Sequence, residues 1–259
     1  MIEEPYRWVE AIANRREYIE AQLASGSPIA ALGYHGGILF LTLGQTRQKI
    51  FEIYDRIAMG AIGHPGDIER LRMGAIELAS TEGFTRSATD VSLRRLVHYS
   101  LSPVMKSAFE QVYGPPYLAR MLFAEVGEQP EGDLFLRVEY DGEIATSGAT
   151  FAQARQDFAV LSGTRQSREL MESFLKTEHG ADASLEAALK SALDAWSIGH
   201  MSLKTTDAKE LPERAAVSKY LQEQLAHTGI EAGILERDKS RAIRYRSLSD
   251  KELRPLISD

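Results

Sequence analysis

Ser27 raises the first chemical question, because it follows Gly26 and precedes an apolar run in GSPIAALGYHGGIL, residues 26–39. A serine hydroxyl acts as a nucleophile when a neighbouring base accepts its proton. Cleavage after Gly26 would place Ser27 at a new N-terminus with its hydroxyl exposed. The alternative is an ordinary serine at the start of a β-strand, and the surrounding elements decide between the two.

Other residue types that often do chemistry show no functional pattern. The six histidines lack the spacing of a zinc site, and no two of them lie four positions apart on a helix. The glycines between Gly33 and Gly37 precede a strand rather than a helix and lack the phosphate-loop pattern. The sequence has no cysteine, which excludes disulfides and thiol chemistry. We therefore expect neither a metal nor a cofactor.

The composition of the chain indicates which broad class of protein it belongs to. With 259 residues, of which 44% are hydrophobic and 26% charged, the chain has the composition of a globular protein, and we expect one domain over residues 1–259. The net charge of −7 argues against a general nucleic-acid partner. The N-terminus is acidic, and no apolar run approaches the ~20 residues of a membrane span. These features predict a cytoplasmic protein without a membrane partner.

In the first half of the chain, the apolar residues first recur at the spacing of a helix and then form the short runs of β-strands. A leading helix is predicted over residues 7–24, where the apolar positions Trp8, Ile12, Ile19 and Leu23 recur on one face. Two strands follow over residues 28–35 and 38–43, separated by the turn Gly36-Gly37. Residues 50–63 contain two more strands.

Two helices are predicted after these strands. The first begins at Pro65 and ends near Gly83. The second is capped by Thr89 with Asp90 and is bent by Pro103. Its apolar stripe consists of Leu93, Val97, Leu101, Val104, Ala108 and Val112.

The second half repeats this grouping. Strands are predicted over residues 118–127, 133–140, 143–148 and 157–163, helices over 164–178, 184–198 and 212–226, strands over 231–237 and 242–247, and a closing helix over 250–256. Strands grouped by hairpins and helices grouped in pairs favour antiparallel sheets with helical layers. The predicted fold is therefore α+β, a four-layer α-β-β-α sandwich of two antiparallel sheets over residues 28–257, with an extra N-terminal helix.

This order of elements resembles the proteasome subunit family, which has the N-terminal-nucleophile hydrolase fold. The resemblance rests on YHGGILFL, QKIFEIYDRIAMGAIGHPGDIERLR, LFAEVG, EYDG, FAVLSG and EAGILERD, and it covers nearly the whole chain. The sequence is most similar to the α-type subunit in its actinobacterial form. Two features depart from the family, namely Pro103 in the second helix and residues 202–229, which are longer and more helical than expected.

The resemblance implies a test of catalytic activity. Catalytic members use an N-terminal threonine freed by processing, together with a lysine. When the sequences are aligned on the Gly36-Gly37 turn, Ser27 takes the place of that threonine and Lys49 that of the lysine. However, Leu43 replaces the expected acid, Pro28 follows Ser27, and a packed leading helix is unlike a removable propeptide. We therefore expect a non-catalytic subunit. The alternative is a self-processing hydrolase that uses Ser27 and Lys49.

The resemblance also implies partners and site residues. In α-type subunits the leading helix helps to build a seven-membered ring, which stacks on a ring of proteolytic β subunits, while the residues before it close the pore to unfolded substrates. Here that gate would consist of Met1, Ile2, Glu3, Glu4, Pro5 and Tyr6. Lys49 and Gly26 would line a pocket that binds the C-terminal carboxylate of an activator ATPase. A ring that scaffolds some other partner is a further alternative.

Overall fold

The structure is a computed structural model, and it describes residues 5–44, 47–111, 113–146, 157–180, 182–205, 210–238, 240 and 243–257. The strands are β1 (Ile29–Tyr34), β2 (Gly37–Gly44), β3 (Ile50–Tyr54), β4 (Ile57–Gly63), β5 (Ala119–Glu125), β6 (Leu134–Val138), β7 (Ile144–Thr146), β8 (Phe158–Leu161), β9 (Gly229–Glu236) and β10 (Tyr245–Ser247). They form two five-stranded sheets, in the orders β10-β9-β2-β1-β8 and β3-β4-β5-β6-β7, and every described pair of neighbouring strands is antiparallel.

Helices cover both sheets on their outer faces. The α-helices are α1 (Pro5–Leu23), α2 (Pro65–Thr85), α3 (Leu93–Leu96), α4 (Ser102–Glu110), α5 (Arg165–Glu178), α6 (Leu185–Ser202), α7 (Arg214–Leu225) and α8 (Asp250–Ile257). Helices α1 to α4 pack on the sheet that contains β3 to β7, and α5 to α8 pack on the other sheet. A third apolar layer, which includes Phe40, Leu122 and Leu161, lies between the two sheets. The predicted four-layer α-β-β-α sandwich is confirmed.

Strand β2 shows why its sequence has no polar alternation. Ile38 and Phe40 face the layer between the sheets, while Leu39 and Leu41 face the helices on the other side. A strand that is buried on both faces reads as a continuous apolar run. The predicted turn before it requires glycine, since Gly37 has a φ of 152° and a Cβ there would lie 1.9 Å from the carbonyl oxygen of Leu235.

The leading helix differs from its prediction in two respects. It begins at Pro5 rather than residue 7, so that Pro5 and Tyr6 belong to the helix, while Met1 to Glu4 lie outside the described residues. Its packing stripe is also shorter than predicted. Ile19 and Leu23 are buried, whereas Trp8 is 47% exposed. The C-terminal half of α1 therefore anchors this helix to the sandwich.

The predicted second helix is interrupted by a π-helical turn, Val97–Leu101, between α3 and α4. Its N-cap is Ser92, which accepts a hydrogen bond from the backbone of Arg95, rather than Thr89 with Asp90. Pro103, which has no backbone N–H to donate, is the second residue of α4, and α4 begins directly after the π turn. The extra residue in the turn shifts the buried stripe, so that Met105 and Phe109 are buried, while Val104 is exposed.

Candidate functional site

A cavity of about 680 Å³ lies where the residues after α1 meet the start of β3 and the end of β4. Its lining comes from three stretches, which are the residues after α1, the segment that leads into β3, and the end of β4 with the start of α2. The lining residues are Ser25, Gly26, Ser27, Arg47, Gln48, Lys49, Phe51, Ala61, Ile62, Gly63, Pro65, Ile68 and Glu69. We call this cavity the α1 pocket. It brings together Gly26 and Lys49, the two residues that the sequence analysis assigned to one pocket.

Gly26 lies where there is little room for a side chain. Its backbone N–H donates to the carbonyl of Leu23 over 2.9 Å, and its own carbonyl accepts a hydrogen bond from Gly163. A Cβ at this position would lie 2.9 Å from the Cδ1 atom of Ile62 and 3.0 Å from the carbonyl oxygen of Leu23. Real Cβ atoms essentially never approach other atoms so closely, so a larger residue would displace Ile62, which also lines the pocket.

The backbone of Lys49 is held by a carboxylate from another strand. Glu231, on β9, accepts hydrogen bonds from the backbone N–H groups of Lys49 and Ile50 over 2.8 to 3.0 Å. Burial raises the pKa of Glu231, although these two N–H groups and the charge of Lys49 oppose that shift. The carbonyl of Lys49 in turn accepts from Ala61 on β4. These bonds fix the start of β3 and therefore the direction of the Lys49 side chain.

The ammonium group of Lys49 is held less firmly than the backbone of this residue. Burial lowers the pKa of Lys49, and the nearby charge of Glu231 only partly offsets this effect. Within the described part of the chain, no hydrogen bond or ion pair holds the ammonium group. From the sequence, this lysine was expected to have no carboxylate neighbour, because Leu43 occupies the expected position. Glu231 corrects that view, although its oxygens are already used by backbone N–H groups.

The hydroxyl of Ser27 makes two hydrogen bonds within the fold. Its hydroxyl donates to the carbonyl oxygen of Leu43 and accepts from the indole Nε1–H of Trp196, both over 3.3 Å. A nucleophilic serine needs a base at hydrogen-bond distance, but the proton of Ser27 points to a backbone carbonyl instead. Ser27 is also an internal residue that is joined to Gly26 and to the packed helix α1. These contacts favour a residue at the start of a strand.

The apolar side of the α1 pocket was not predicted. Phe51, Ile62 and Ile68 line it, and the guanidinium group of Arg72 lies 5.4 Å from the centre of the Phe51 ring. Arg72 also makes two hydrogen bonds to Glu69 at the rim, over 2.7 and 2.8 Å. The sequence predicted the strands over residues 50–63 and the start of α2 at Pro65, but not that their apolar side chains line one pocket. The pocket thus combines a basic group with an apolar surface.

Several other predictions concern features outside this pocket. Among the described residues, no group of three or more histidine, aspartate or glutamate side chains is arranged to hold a metal ion. No helix in the described ranges is both long and apolar enough to cross a membrane. Of the predicted gate, Met1 to Glu4 lie outside the described residues, and Pro5 and Tyr6 form the first residues of α1.

Comparisons with known proteins agree with this architecture. Residues 40–207 match the sequence model of the proteasome subunit family. A proteasome subunit alpha from Nocardioides sp. is 27% identical over 96% of this chain and 87% of its own length. Those from Streptomyces scabiei and Mycobacterium marinum are 34% and 29% identical, over 73% and 96% of this chain and 72% and 85% of their own lengths. The chain belongs to the proteasome subunit family, and its relatives identify it as an α-type subunit.

Proposed function

We propose that the chain is a non-catalytic subunit whose ring stacks on a ring of proteolytic β subunits and controls the entry of unfolded protein substrates. Seven copies would form the ring, and an ATPase activator in the cytoplasm would dock on it through C-terminal tails. The observation that carries the docking proposal is the ammonium group of Lys49, which lies in a pocket walled by Gly26 and has no hydrogen bond or ion pair among the described residues. The whole chain would act as one α-type domain.

The chemistry of the α1 pocket suits the end of a peptide. A terminal carboxylate would give the Lys49 ammonium group an ion-pair partner, which it does not have in the described part of the chain. A charge-assisted hydrogen bond in a partly desolvated site is a strong one. Phe51, Ile62 and Ile68 would contact an apolar side chain near the end of the same peptide. A side chain at Gly26 would press on Ile62, so glycine leaves this apolar wall of the pocket in place for the peptide.

The connection between pocket and gate would run through α1. The pocket residues Ser25 to Ser27 follow directly after the last residue of α1, while Met1 to Tyr6 include its first turn and the residues before it. A tail that moves Gly26 therefore acts on one end of the helix whose other end carries the gate. A helix transmits such a displacement because its backbone hydrogen bonds make it stiff along its axis.

A direct test measures binding of a short peptide to the ring. The probe is a fluorescein-labelled hexapeptide that ends in leucine and alanine with a free carboxylate, and its control is the same peptide with an amidated end. We expect fluorescence anisotropy to report binding of the carboxylate peptide. The Lys49→Met variant should bind it at least about tenfold more weakly, because it loses a charge-assisted hydrogen bond.

The matched control is Lys106→Met, because Lys106 is an exposed lysine on α4 outside the pocket lining, with its ammonium group 3.8 Å from Glu110. It should bind the carboxylate peptide like the wild type. Equal binding of the carboxylate and amidated peptides, or equal affinity for the wild type and Lys49→Met, would overturn the docking proposal. So would the absence of binding at millimolar peptide.

Ring formation is tested separately by negative-stain electron microscopy of the chain alone and with a candidate β subunit. We expect a ring, or a four-ring particle when the β subunit is present. A small monomer in both samples would contradict the assembly proposal, whereas a ring that never joins a β subunit would favour a scaffold for another partner.

A further inference from the structure

A line of aromatic contacts lies behind the α1 pocket. The indole Nε1–H of Trp196 donates to the hydroxyl of Ser27 in the pocket wall over 3.3 Å. The same indole ring stacks on the imidazole of His200, with ring centres 4.5 Å apart and an angle of 28° between the planes. The Nδ1 atom of His200 shares a hydrogen bond of 2.8 Å with the hydroxyl of Tyr220. We call Trp196, His200 and Tyr220 the aromatic relay.

The relay joins parts of the chain that are distant in sequence. Trp196 and His200 are four positions apart on α6 and therefore share one face of that helix. Tyr220 is on α7, which lies beyond residues 40–207, the part that matches the family model. It also lies in the 202–229 segment that departs from the family pattern. At the other end, Ser27 directly follows Gly26 in the pocket wall.

Each contact in the aromatic relay requires a particular geometry, so it restricts where the contacting side chains lie. Trp196 is 1% exposed, and its ring is held on one side by the stacked imidazole. The hydroxyl of Ser27 uses its proton for the carbonyl of Leu43 and a lone pair for Trp196. Because Tyr220 restricts His200, and His200 restricts the indole ring, the position of α7 affects the pocket wall through short polar and stacking contacts.

The surroundings of the relay keep it uncharged near neutral pH. Burial, together with the positive charges of Lys204 and Lys49, lowers the pKa of His200 to about 4. The ammonium group of Lys204 also lies 5.1 Å from the centre of the Tyr220 ring. Lys49 lines the α1 pocket, and its charge also contributes to the lowered pKa of His200. The relay and the basic group of the pocket therefore share one environment.

We propose that the aromatic relay positions the wall of the α1 pocket, so that α7 sets the affinity of the pocket for a C-terminal carboxylate. Trp196, His200 and Tyr220 are positioning residues in this account, because none of them lines the pocket. When the relay is intact, the segment around Ser27 is already ordered, and a bound peptide does not have to order it. This inference rests on the proposed docking function, and it assigns a role to the segment that departs from the family.

The experiment uses the fluorescence of Trp196 as its readout. The chain has two tryptophans, so a Trp8→Phe background leaves Trp196 as the only tryptophan, which is excited at a wavelength that tyrosine does not absorb. The unlabelled carboxylate peptide, which contains no aromatic residue, is titrated into this protein, while anisotropy of the labelled peptide measures binding independently. We expect the Trp196 emission to change along the binding curve, because a displaced Ser27 alters the hydrogen bond of the indole.

Tyr220→Phe removes only the hydroxyl that bonds to His200. We expect it to change the Trp196 emission of the free protein and to weaken peptide binding about threefold, since peptide binding must then order the wall. The matched control is Tyr18→Phe, because Tyr18 is 53% exposed on α1, and it should change neither quantity. Ser27→Ala removes the acceptor of the indole and should abolish the Trp196 response while weakening binding in the same way.

The outcomes separate this inference from the docking proposal. If anisotropy shows binding but the Trp196 emission stays constant, or if Tyr220→Phe binds like the wild type, the relay has no positioning role and the docking proposal stands. If the labelled peptide does not bind at all, both fail. If Tyr220→Phe does not fold, Ser27→Ala decides, because a Trp196 response that persists in that variant would overturn the relay.

Discussion

Arg120 and Lys49 are two largely buried cations that the chain treats in opposite ways. The guanidinium group of Arg120 is saturated, with Glu139 at 2.6 Å, Glu20 at 2.5 Å and the carbonyl of Gly163 at 2.7 Å. Burial alone would lower the pKa of Arg120, but Glu139 and Glu20 raise it above the ordinary value. The pKa of Lys49 is instead lowered by burial, which the charge of Glu231 only partly offsets.

The difference separates a structural cation from a binding cation. Glu20 belongs to α1, Glu139 follows β6, and Gly163 follows β8, so Arg120 ties the leading helix to both sheets. Lys49 ties nothing together through its side chain in the described residues, and it faces an open cavity. A buried charge without a partner is costly for a fold, and it is retained where a ligand supplies the partner.

The largest effect should follow from removing the saturated cation. We expect Arg120→Met to lower the free energy of unfolding by about 3 kcal/mol or more, because Glu20 and Glu139 would remain without their shared partner. Urea denaturation of the purified chain measures this change. Lys49→Met should leave the stability within about 1 kcal/mol of the wild type, or raise it, since the fold disfavours the charged form of Lys49.

Arg165→Met provides the control for Arg120→Met. The side chain of Arg165 is 82% exposed and pairs with Glu169 on the same helix, so its loss should leave the stability close to that of the wild type. If Arg120→Met were no more destabilising than this control, or if Lys49→Met were equally destabilising, the contrast between the two cations would be wrong.

The second prediction concerns the contribution of His200 to stability, since the charge of Lys49 acts on the pKa of this histidine. Its pKa of about 4 in the folded chain lies below its ordinary value of 6.5. Between these values the unfolded chain binds a proton that the folded chain does not, so stability falls as the pH decreases through this window. We expect His200 to account for a loss of about 2 kcal/mol between pH 7 and pH 5.

Denaturation curves of the wild type and His200→Asn at both pH values isolate this contribution. The variant should lose less stability on acidification, by about 2 kcal/mol. His98→Asn, which alters an exposed histidine, should follow the wild type. Because His179, whose pKa is also lowered by burial, is present in all three proteins, its contribution cancels. If the free energy of unfolding had the same pH dependence in the wild type and in His200→Asn, the fold would not disfavour protonation of His200. The surroundings of Lys49 would then accept a further positive charge.

The sequence predicted those parts of the fold that depend on local residue patterns. Apolar periods and turn residues located the strands and helices, because each strand or helix buries a face with its own repeat. The same reasoning failed after Leu96, where the π turn inserts one residue and moves Val104 to the surface. A local pattern cannot reveal such an insertion, because the apolar residues Leu93, Val97, Leu101 and Val104 still have α-helical spacing in the sequence.

The site was predictable only where the family pattern fixes the alignment. Gly26 and Lys49 were assigned to one pocket before the structure placed them in one lining. Glu231 was missed, because it reaches Lys49 from a strand more than 180 residues away. The Trp196–His200 pair had a local signal, since its spacing of four places both rings on one helix face. Its link to Ser27, however, depends on how α6 packs on the sheet.

The smallest effect concerns Ser27, which lies between the pocket and the relay. Its two hydrogen bonds are neutral and 3.3 Å long, so Ser27→Ala should lower the free energy of unfolding by no more than about 1 kcal/mol. If Ser27 were instead a nucleophile freed by cleavage, the wild-type chain expressed with a β subunit would begin at Ser27. Intact mass spectrometry should find residues 1–26 still attached in the wild type, with a mass that differs from that of Ser27→Ala by one oxygen atom. A wild-type chain shortened to Ser27, together with an uncleaved Ser27→Ala chain, would make Lys49 a catalytic group rather than a binding cation.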